Sequence, residues 1–436
     1  MSRTTWWKKP AFWLAVGGLA LLVLAAACVR NPVTGENELS FMGEAEEIAL
    51  GIDNYPKTTQ MNNGLPADDP GLQSYVSQVG SNLASHSHRP ALPWAFNVVN
   101  SSEINAFALP GGKISFTRGI LTKMNSEDEM AFVMGHEIGH VAARHSAQQY
   151  TKGVLISAAL AGVGVALSDS DWQGVGLAVS GVAGQLLLLS YSRDMERQAD
   201  DLGMNYMAGA NYNPKATLQV FQIFQSQEKS EPGMIQAWLS SHPLTSERIN
   251  LAQQQILQFS PRLTEQPYKT SRFQKMLALQ KDRAPAYAAM DQGDLALKKK
   301  NYGAAASDFQ KAIGLFPREG LFHTRLAVTR LEQEQPKQAV TPAKNGVRYS
   351  PNLFLAQFVL GVTCRQTGDQ QGALKAFGAA QRILPNQPLN TLLLANTFDR
   401  LGQRREAVLL YQRVARLDKG GKMGNAAVGR LRQLGY

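Results

Sequence analysis

The stretch Phe132-Val133-Met134-Gly135-His136-Glu137-Ile138-Gly139-His140-Val141-Ala142 is apolar, follows the helical period and carries two histidines four residues apart. Residues i and i+4 lie on one face of a helix, so the imidazoles of His136 and His140 can reach one metal ion. Glu137 follows the first histidine and can take a proton from a water held at that ion. Two unrelated histidines on a buried helix are the alternative, and unpaired imidazoles would be costly there. The pattern therefore predicts one zinc ion on a helix over residues 127–145.

A catalytic zinc ion takes three protein ligands and leaves one position open. Residues 141–145 lack the spacing of the elongated zinc motif, so we interpret His145 as lying behind the ligands or on the surface. Glu196 and Asp200 are four residues apart on a predicted helix over 192–207. One carboxylate can bind zinc while the other hydrogen-bonds a ligand histidine. A solvated acidic face is the alternative for this pair.

His242 is the other notable histidine, in the segment Ser241-His242-Pro243-Leu244-Thr245-Ser246-Glu247-Arg248-Ile249. Taken alone, this segment is typical of the entry to a helix, with Thr245 as its N-cap and Arg248 on the surface.

The last third of the chain repeats with a period of 34 residues. Three sets of positions keep this spacing: Pro317, Pro351 and Pro385; Ala305, Ala339, Ala373 and Ala407; and Phe309, Ala343, Phe377 and Tyr411. Small residues at a helix crossing, an aromatic residue in the second helix and a proline after it are typical of tetratricopeptide repeats. We predict an α-solenoid of four repeats over residues 285–421 and a capping helix within 422–436.

The N-terminus predicts export from the cytoplasm. Within residues 1–27, Arg3, Lys8 and Lys9 precede an uncharged apolar run, as in a signal peptide. The run ends in Leu24-Ala25-Ala26-Ala27-Cys28, which resembles a bacterial lipobox and makes Cys28 the predicted lipidation site. A retained membrane anchor is the alternative, because a run of about 17 apolar residues is the lower limit for a membrane span.

Between these regions the pattern predicts a mainly α protein with a small sheet. Strands are predicted over 96–99 and 114–117, on either side of residues 105–109, with a turn at Pro110-Gly111-Gly112. The apolar stretch 153–189 favours buried or lid helices, with a transmembrane hairpin as the alternative.

The predicted fold is therefore an α+β zincin-type metallopeptidase domain over residues 66–263, followed by the α-solenoid. An N-terminal extension over 28–65 precedes it, and a polar linker over 264–284 joins the two parts. The net charge of +10 comes without interleaved basic and aromatic residues, so we expect no nucleic-acid partner. Two cysteines exclude a disulfide framework.

Three motifs together carry a family resemblance. The segments HEIGH (136–140), ERQAD (196–200) and SHPLTSER (241–248) resemble the gluzincin peptidase family that includes the CaaX prenyl proteases. Within this family, the combination of these motifs with C-terminal tetratricopeptide repeats is similar to the domain layout of the periplasmic beta-barrel assembly-enhancing proteases. The resemblance covers residues 28–436, including 31–35 and 105–112.

The resemblance implies His136, His140 and Glu196 as the zinc ligands and Glu137 as general base and acid. Asp200 would hydrogen-bond a ligand histidine. An active-site edge strand that pairs with extended substrate is implied over Asn105, Ala106, Phe107, Ala108 and Leu109.

Two further residues are implied near the reacting atoms. His242 and Arg248 would face the oxyanion of the reaction. In the assembly-enhancing proteases, the histidine matching His242 can instead take the fourth zinc position and hold the enzyme off.

The expected function is a zinc endopeptidase of the bacterial cell envelope, facing the periplasm and attached to the outer membrane through Cys28. Polypeptide substrates, and envelope or outer-membrane assembly proteins bound by the repeats, are the expected partners. A chaperone or scaffold with latent proteolysis is the alternative. A prenyl protease is disfavoured, because the long transmembrane helices that it needs are missing from the sequence.

Overall fold

A computed structural model describes residues 28–66, 69–152 and 190–436. The predictions of a signal peptide over 1–27 and of apolar helices over 153–189 lie outside the described residues, and of Cys28 only the backbone is described. Among the described residues, none of the helices is long and apolar enough to span a bilayer.

The strands form two small sheets. In the first, β1 (Cys28–Arg30) pairs antiparallel with β2 (Asn37–Leu39). In the second, β5 (Lys113–Thr117) lies between β3 (Ala95–Val99), to which it is parallel, and β4 (Ala106–Leu109), to which it is antiparallel.

The predicted turn at Pro110-Gly111-Gly112 joins β4 to β5. Gly111 and Gly112 both have positive φ angles, 72° and 83°, which glycine adopts without strain. A Cβ atom on Gly111 would also lie 2.6 Å from the Ile48 backbone. Among the described strands, β4 lies at an edge of its sheet, where the family resemblance implies an edge strand.

Helices surround these sheets. Their bounds are α1 Glu44–Met61, α2 Pro70–Ser85, α3 Arg118–Lys123, α4 Glu127–Ala142, α5 Arg193–Gly209, α6 Ala216–Ser230, α7 Pro232–Ser241, α8 Ser246–Ile256 and α9 Pro261–Thr264. A further helical stretch starts at His145 and runs to the end of the described segment at Lys152.

Helix α4 is central, and every one of its residues is buried. It packs against α5 at unusually close range because small residues face each other there. A Cβ atom on Gly135 would lie 2.8 Å from the carbonyl oxygen of Gly203, and one on Gly139 would lie 3.1 Å from that of Ala199. Glycine at these positions brings the helix of the HEIGH motif next to the helix of the ERQAD motif.

Residues 264–284, which the sequence predicts to be a polar linker, are mostly helical and packed. Helix α10 (Ser271–Asp282) occupies most of residues 264–284 and contacts α2 and α3. Phe273 and Leu277 are both fully buried in the same hydrophobic core as α4. Two apolar residues at i and i+4 on a short polar helix are enough to dock it, which makes this connection part of the first domain's packing.

The second half of the chain consists of paired helices. They are α11 Ala284–Lys298 with α12 Tyr302–Leu315, α13 Gly320–Glu332 with α14 Pro336–Tyr349, α15 Phe354–Gln366 with α16 Gln370–Ile383, and α17 Pro388–Arg400 with α18 Arg404–Leu417. Helix α19 (Lys422–Gln433) packs on the last pair.

The periodic positions of the sequence lie where these helices cross. The four periodic alanines, at 305, 339, 373 and 407, are fully buried. Four residues after three of these alanines, the aromatic residues Phe309, Phe377 and Tyr411 are also buried. The mainly α fold, with a small sheet followed by an α-solenoid of tetratricopeptide repeats, is therefore confirmed.

The two halves meet across a polar and aromatic contact. The guanidinium of Arg118, at the start of α3, lies 3.4 Å from the ring centroid of Tyr287 on α11. Gln60 Nε2 of the first half also donates to the carbonyl of Asn352 in the repeats at 3.1 Å. Both Arg118 and Tyr287 are buried, so the repeats are packed on the first domain.

Candidate active site

Helix α4 presents the two histidines of the HEIGH motif side by side. The helix begins after Ser126, whose hydroxyl accepts from the backbone N–H of Glu129. The Nε2 atoms of His136 and His140 are 3.0 Å apart, and both rings are buried. The i, i+4 spacing therefore brings two imidazole nitrogens to one point, as the sequence predicts.

Glu196 on α5 and His242 after α7 complete a four-residue group. Glu196 Oε1 is 3.3 Å from His140 Nε2, and Glu196 Oε2 is 3.6 Å from His136 Nε2. His242 Nδ1 donates to Glu196 Oε1 at 2.9 Å and lies 3.3 Å from His136 Nε2. One donor atom from each of these residues lies within 4.8 Å of every other, and all four residues are buried.

These donors fit a zinc ion. At zinc–ligand distances of about 2.0–2.1 Å, neighbouring donor atoms of a tetrahedral site lie about 3.3 Å apart. The separations among His136, His140 and Glu196 run from 3.0 to 3.6 Å. Imidazole nitrogen and carboxylate oxygen are also the ligands that zinc takes in catalytic sites.

Glu137 lies beside this group. Its Oε1 is buried, has no hydrogen-bond partner among the described residues and lies 3.6 Å from His242 Nε2. Burial raises the pKa of the Glu137 carboxyl, although His242 and His136 act in the opposite direction. An unpaired buried carboxylate oxygen of raised basicity is suited to receive a proton.

Behind His136 the structure has the partner that the motif implies. His136 Nδ1 donates to Asp200 Oδ1 at 2.9 Å, which directs Nε2 to the metal group. Burial alone would raise the pKa of Asp200, yet the charge and hydrogen bonds of Arg248 lower it below its usual value. Asp200 is therefore an ionised carboxylate that orients the ring of His136.

Arg248 lies elsewhere than the resemblance implies. Its Nε and Nη2 donate to the two carboxylate oxygens of Asp200, and its Nη1 donates to the Pro243 carbonyl at 2.9 Å. Nη1 is also 2.8 Å from Glu196 Oε2. A buried guanidinium needs counter-charge, and these carboxylates supply it. The expectation that Arg248 faces a reacting oxyanion is therefore corrected: its donors are directed at the carboxylates behind the histidines.

Three residues near the site were not assigned to it by sequence reasoning. Gln198 Oε1 lies 2.9 Å from Nε2 of His145, whose ring is buried behind His140. Tyr191 stacks on His140 with ring centroids 3.9 Å apart, and Trp238 stacks on His242 at 4.4 Å. The motif ERQAD contains Gln198, but no spacing rule relates any of the three to the HEIGH helix.

The edge strand β4 runs beside α4. The backbone N–H of Ala108 is close enough to Glu137 to lower the pKa of its carboxyl. Phe107 and Ala108 are buried, whereas Asn105 precedes the strand and donates its backbone N–H to Thr117 Oγ1 at 3.1 Å. The described residues provide no further strand on the free edge of β4. The predicted edge strand thus lies next to the predicted general base.

Comparison with known proteins agrees with this arrangement. Residues 70–256 match Peptidase family M48, and residues 324–388 match the tetratricopeptide repeat. Similar proteins include the beta-barrel assembly-enhancing protease of Escherichia coli, 28% identical over 243 residues, which are 54% of this chain and 48% of that protein. The mitochondrial metalloendopeptidase OMA1 of Schizosaccharomyces pombe is 34% identical over 185 residues, 40% of this chain and 50% of that protein.

The chain thus spans about half the length of these curated relatives. The family match includes the HEIGH, ERQAD and SHPLTSER segments, which the structure gathers into one buried metal-binding group. We conclude that residues 70–256 form a domain of Peptidase family M48, which the chain joins to tetratricopeptide repeats.

Proposed function

We propose that the protein is a zinc-dependent endopeptidase. The observation that carries the proposal is the group of His136, His140 and Glu196, with the unpaired Glu137 oxygen and the edge strand β4 beside it. In this proposal the first three residues hold the zinc ion.

Bound zinc would polarise the scissile carbonyl and make a neighbouring water more acidic. Glu137 takes the proton of the attacking water and passes it to the leaving amine. Its buried position and raised pKa support this role, because a more basic carboxylate is a better proton acceptor near neutral pH. Asp200 keeps His136 in the tautomer that presents Nε2, and Arg248 keeps Asp200 ionised.

The strand β4, with Asn105 before it, is proposed to hold the substrate. An extended peptide can add to the free edge of a sheet through main-chain hydrogen bonds. Because Ala108 adjoins Glu137, a peptide paired there would pass the general base. This mode favours extended or unfolded segments over folded domains.

His242 is proposed as a gate that occupies the fourth zinc position. Its Nδ1 lies 2.9 Å from Glu196 Oε1 and 3.3 Å from His136 Nε2, at the spacing of zinc donors, and Trp238 stacks on its ring. In this proposal His242 has to leave the fourth zinc position before a substrate can bind there.

Metal content and casein cleavage test the proposal. Wild-type protein is expected to hold one zinc ion, and Glu137→Gln should keep the zinc while losing cleavage. Cleavage by Glu137→Gln at the wild-type rate would contradict the role of Glu137. His242→Ala should raise cleavage if the residue is a gate, whereas a fall would assign it to the oxyanion.

We also propose that the enzyme acts in the bacterial cell envelope on envelope or outer-membrane proteins. The similarity to the Escherichia coli beta-barrel assembly-enhancing protease supports this setting. The repeats would bind substrates or assembly proteins, and lipidated Cys28 would attach the chain to the outer membrane.

Fractionation tests this location. Cys28→Ser should move the protein from the membrane fraction to the soluble periplasmic fraction. If the variant stays with the membrane, the N-terminal segment is a retained anchor and Cys28 is not the attachment site.

A further inference from the structure

We propose that His145 and Gln198 are positioning residues that fix the tautomer of His140 through a chain of two hydrogen bonds. The Nδ1 atoms of His140 and His145 are 2.8 Å apart, and His145 Nε2 is 2.9 Å from Gln198 Oε1. The inference rests on the zinc ligands of the proposed function. It adds two residues that are not themselves zinc ligands.

The direction of both hydrogen bonds follows from the acceptor at the end of the chain, the Gln198 side-chain oxygen. The Gln198 side-chain oxygen can only accept, so His145 Nε2 carries the proton. A neutral His145 then has a lone pair on Nδ1, and His140 Nδ1 must donate to it. This leaves His140 Nε2 with its lone pair directed at Glu196 and His136, where the zinc ion would be held.

The two ligand histidines are therefore held by different chemistry. His136 is held by an ionised carboxylate with an arginine behind it, whereas His140 is held by a neutral imidazole with an amide behind it. A carboxylate behind both histidines would place another negative charge in a site that already contains Glu196 and Glu137. The neutral relay supplies the orientation without that charge.

The N-terminal extension holds His145 in place. The turn between α4 and His145 consists of Ala143 and Arg144, and Arg144 has a φ of 60°, unusual for a residue other than glycine. The Ala143 carbonyl accepts from Asn31 Nδ2 at 3.2 Å, and Arg144 forms a buried ion pair with Glu47. These contacts keep a strained turn in the one conformation that directs His145 back at His140.

Two substitutions separate hydrogen bonding from packing. His145→Leu keeps the bulk of the ring and removes the acceptor, whereas His145→Asn loses bulk but keeps an acceptor near the Nδ1 position. Zinc dissociation constants, measured by competition with a chromophoric chelator, should rise about 10–100-fold for His145→Leu. His145→Asn should stay within a few-fold of wild type, and the control is the exposed His86→Ala.

The absorption spectrum of the cobalt-substituted protein reports on the metal ligands directly. A change in packing alone would leave its ligand-field bands unchanged. The ligand-field bands should shift in His145→Leu and remain in His145→Asn. Equal zinc affinity of His145→Leu and wild type, or a larger loss in His145→Asn than in His145→Leu, would overturn the proposal.

Gln198 provides the second test if the His145 variants do not fold. Gln198→Leu should weaken zinc binding and Gln198→Glu should preserve it, with Gln222→Ala on α6 as an exposed control. Unchanged affinity in Gln198→Leu also contradicts the relay. If wild-type protein itself fails to bind zinc, the proposed function fails, which is a different result from loss of the relay alone.

Discussion

Asp200 and Arg248 form a buried bidentate ion pair, with Nε–Oδ2 and Nη2–Oδ1 distances of 2.6 and 2.7 Å. The pair lies directly behind His136, to which Asp200 is also hydrogen-bonded. The ERQAD and SHPLTSER segments therefore meet through a charge pair, and the carboxylate that orients His136 is itself oriented by an arginine.

Arg248→Ala should be severely destabilising, because it leaves Asp200 buried without its counter-charge. We expect a loss of about 3–5 kcal/mol in the free energy of unfolding. Arg248→Lys should recover part of this loss, since it keeps the charge but not the two parallel hydrogen bonds. Chemical denaturation measures both. As a control, Arg197→Ala removes more exposed ion pairs to Asp194 and Glu247 and should lower the free energy of unfolding far less. Equal losses at the two positions would contradict the importance of the buried pair.

Gly203→Ala should disturb the packing of α5 on α4. The added Cβ atom would lie 2.8 Å from the backbone nitrogen of His136, so the helices must separate. Overpacking of this kind typically costs about 1–3 kcal/mol, and the shift should also lower zinc affinity. Thermal unfolding and zinc titration are the measurements. In Gly314→Ala the added Cβ atom would meet no other described residue within 4 Å beyond its chain neighbours and the backbone of its own helix, so α12 should instead gain up to about 1 kcal/mol.

The contact between the peptidase domain and the repeats should respond to pH through Asp291. Burial raises the pKa of this carboxyl from 3.8 to about 6, against the opposing effects of Ser102 and Arg118. Between these two pH values the folded protein binds more protons than the unfolded chain, so stability falls as the pH rises from about 4 to 6. Asp291→Asn should remove this fall and be more stable above pH 6 by about 1–3 kcal/mol. Denaturation curves at pH 4.5 and 7 test this, and parallel behaviour of variant and wild type would refute it.

Removal of the metal should lower both activity and melting temperature. A ligand that binds only the folded state stabilises it by RT ln(1 + [L]/Kd), about 4 kcal/mol at a thousandfold excess over Kd. Chelated protein is therefore expected to unfold at a lower temperature. Added zinc, but not magnesium, should restore both the activity and the melting temperature. In Glu196→Ala, zinc should restore neither. If zinc raises the melting temperature of Glu196→Ala as much as that of wild type, Glu196 is not a ligand.

Features that follow a regular spacing along the chain were predictable. The HEIGH helix and the strands β3 and β5 follow from local patterns of apolar residues, whereas the edge strand β4 was implied by the family resemblance. The repeats follow from a spacing of 34 residues that is kept across four helix pairs. In each case a regular spacing along the chain determines which residues share a face of a helix or strand.

The docking of α10 shows where such reasoning stops. Residues 271–282 carry only two buried apolar side chains, Phe273 and Leu277, among polar residues. A weak amphipathic pattern does not reveal whether a complementary core surface exists nearby, and here α2 and α3 provide it. The supposed linker is a packed helix for that reason.

By itself, the sequence determined that His136 and His140 share a helix face, that Glu196 and Asp200 share another, and that helix pairs repeat to the C-terminus. Only the tertiary structure decided which side chains hydrogen-bond to Asp200 and to His145. Arg248 is 48 residues from Asp200, and Gln198 is 53 residues from His145, yet each pair is in hydrogen-bond contact. Whether a polar side chain faces solvent, substrate or a buried partner depends on the charges that folding brings around it, and no local spacing encodes those charges.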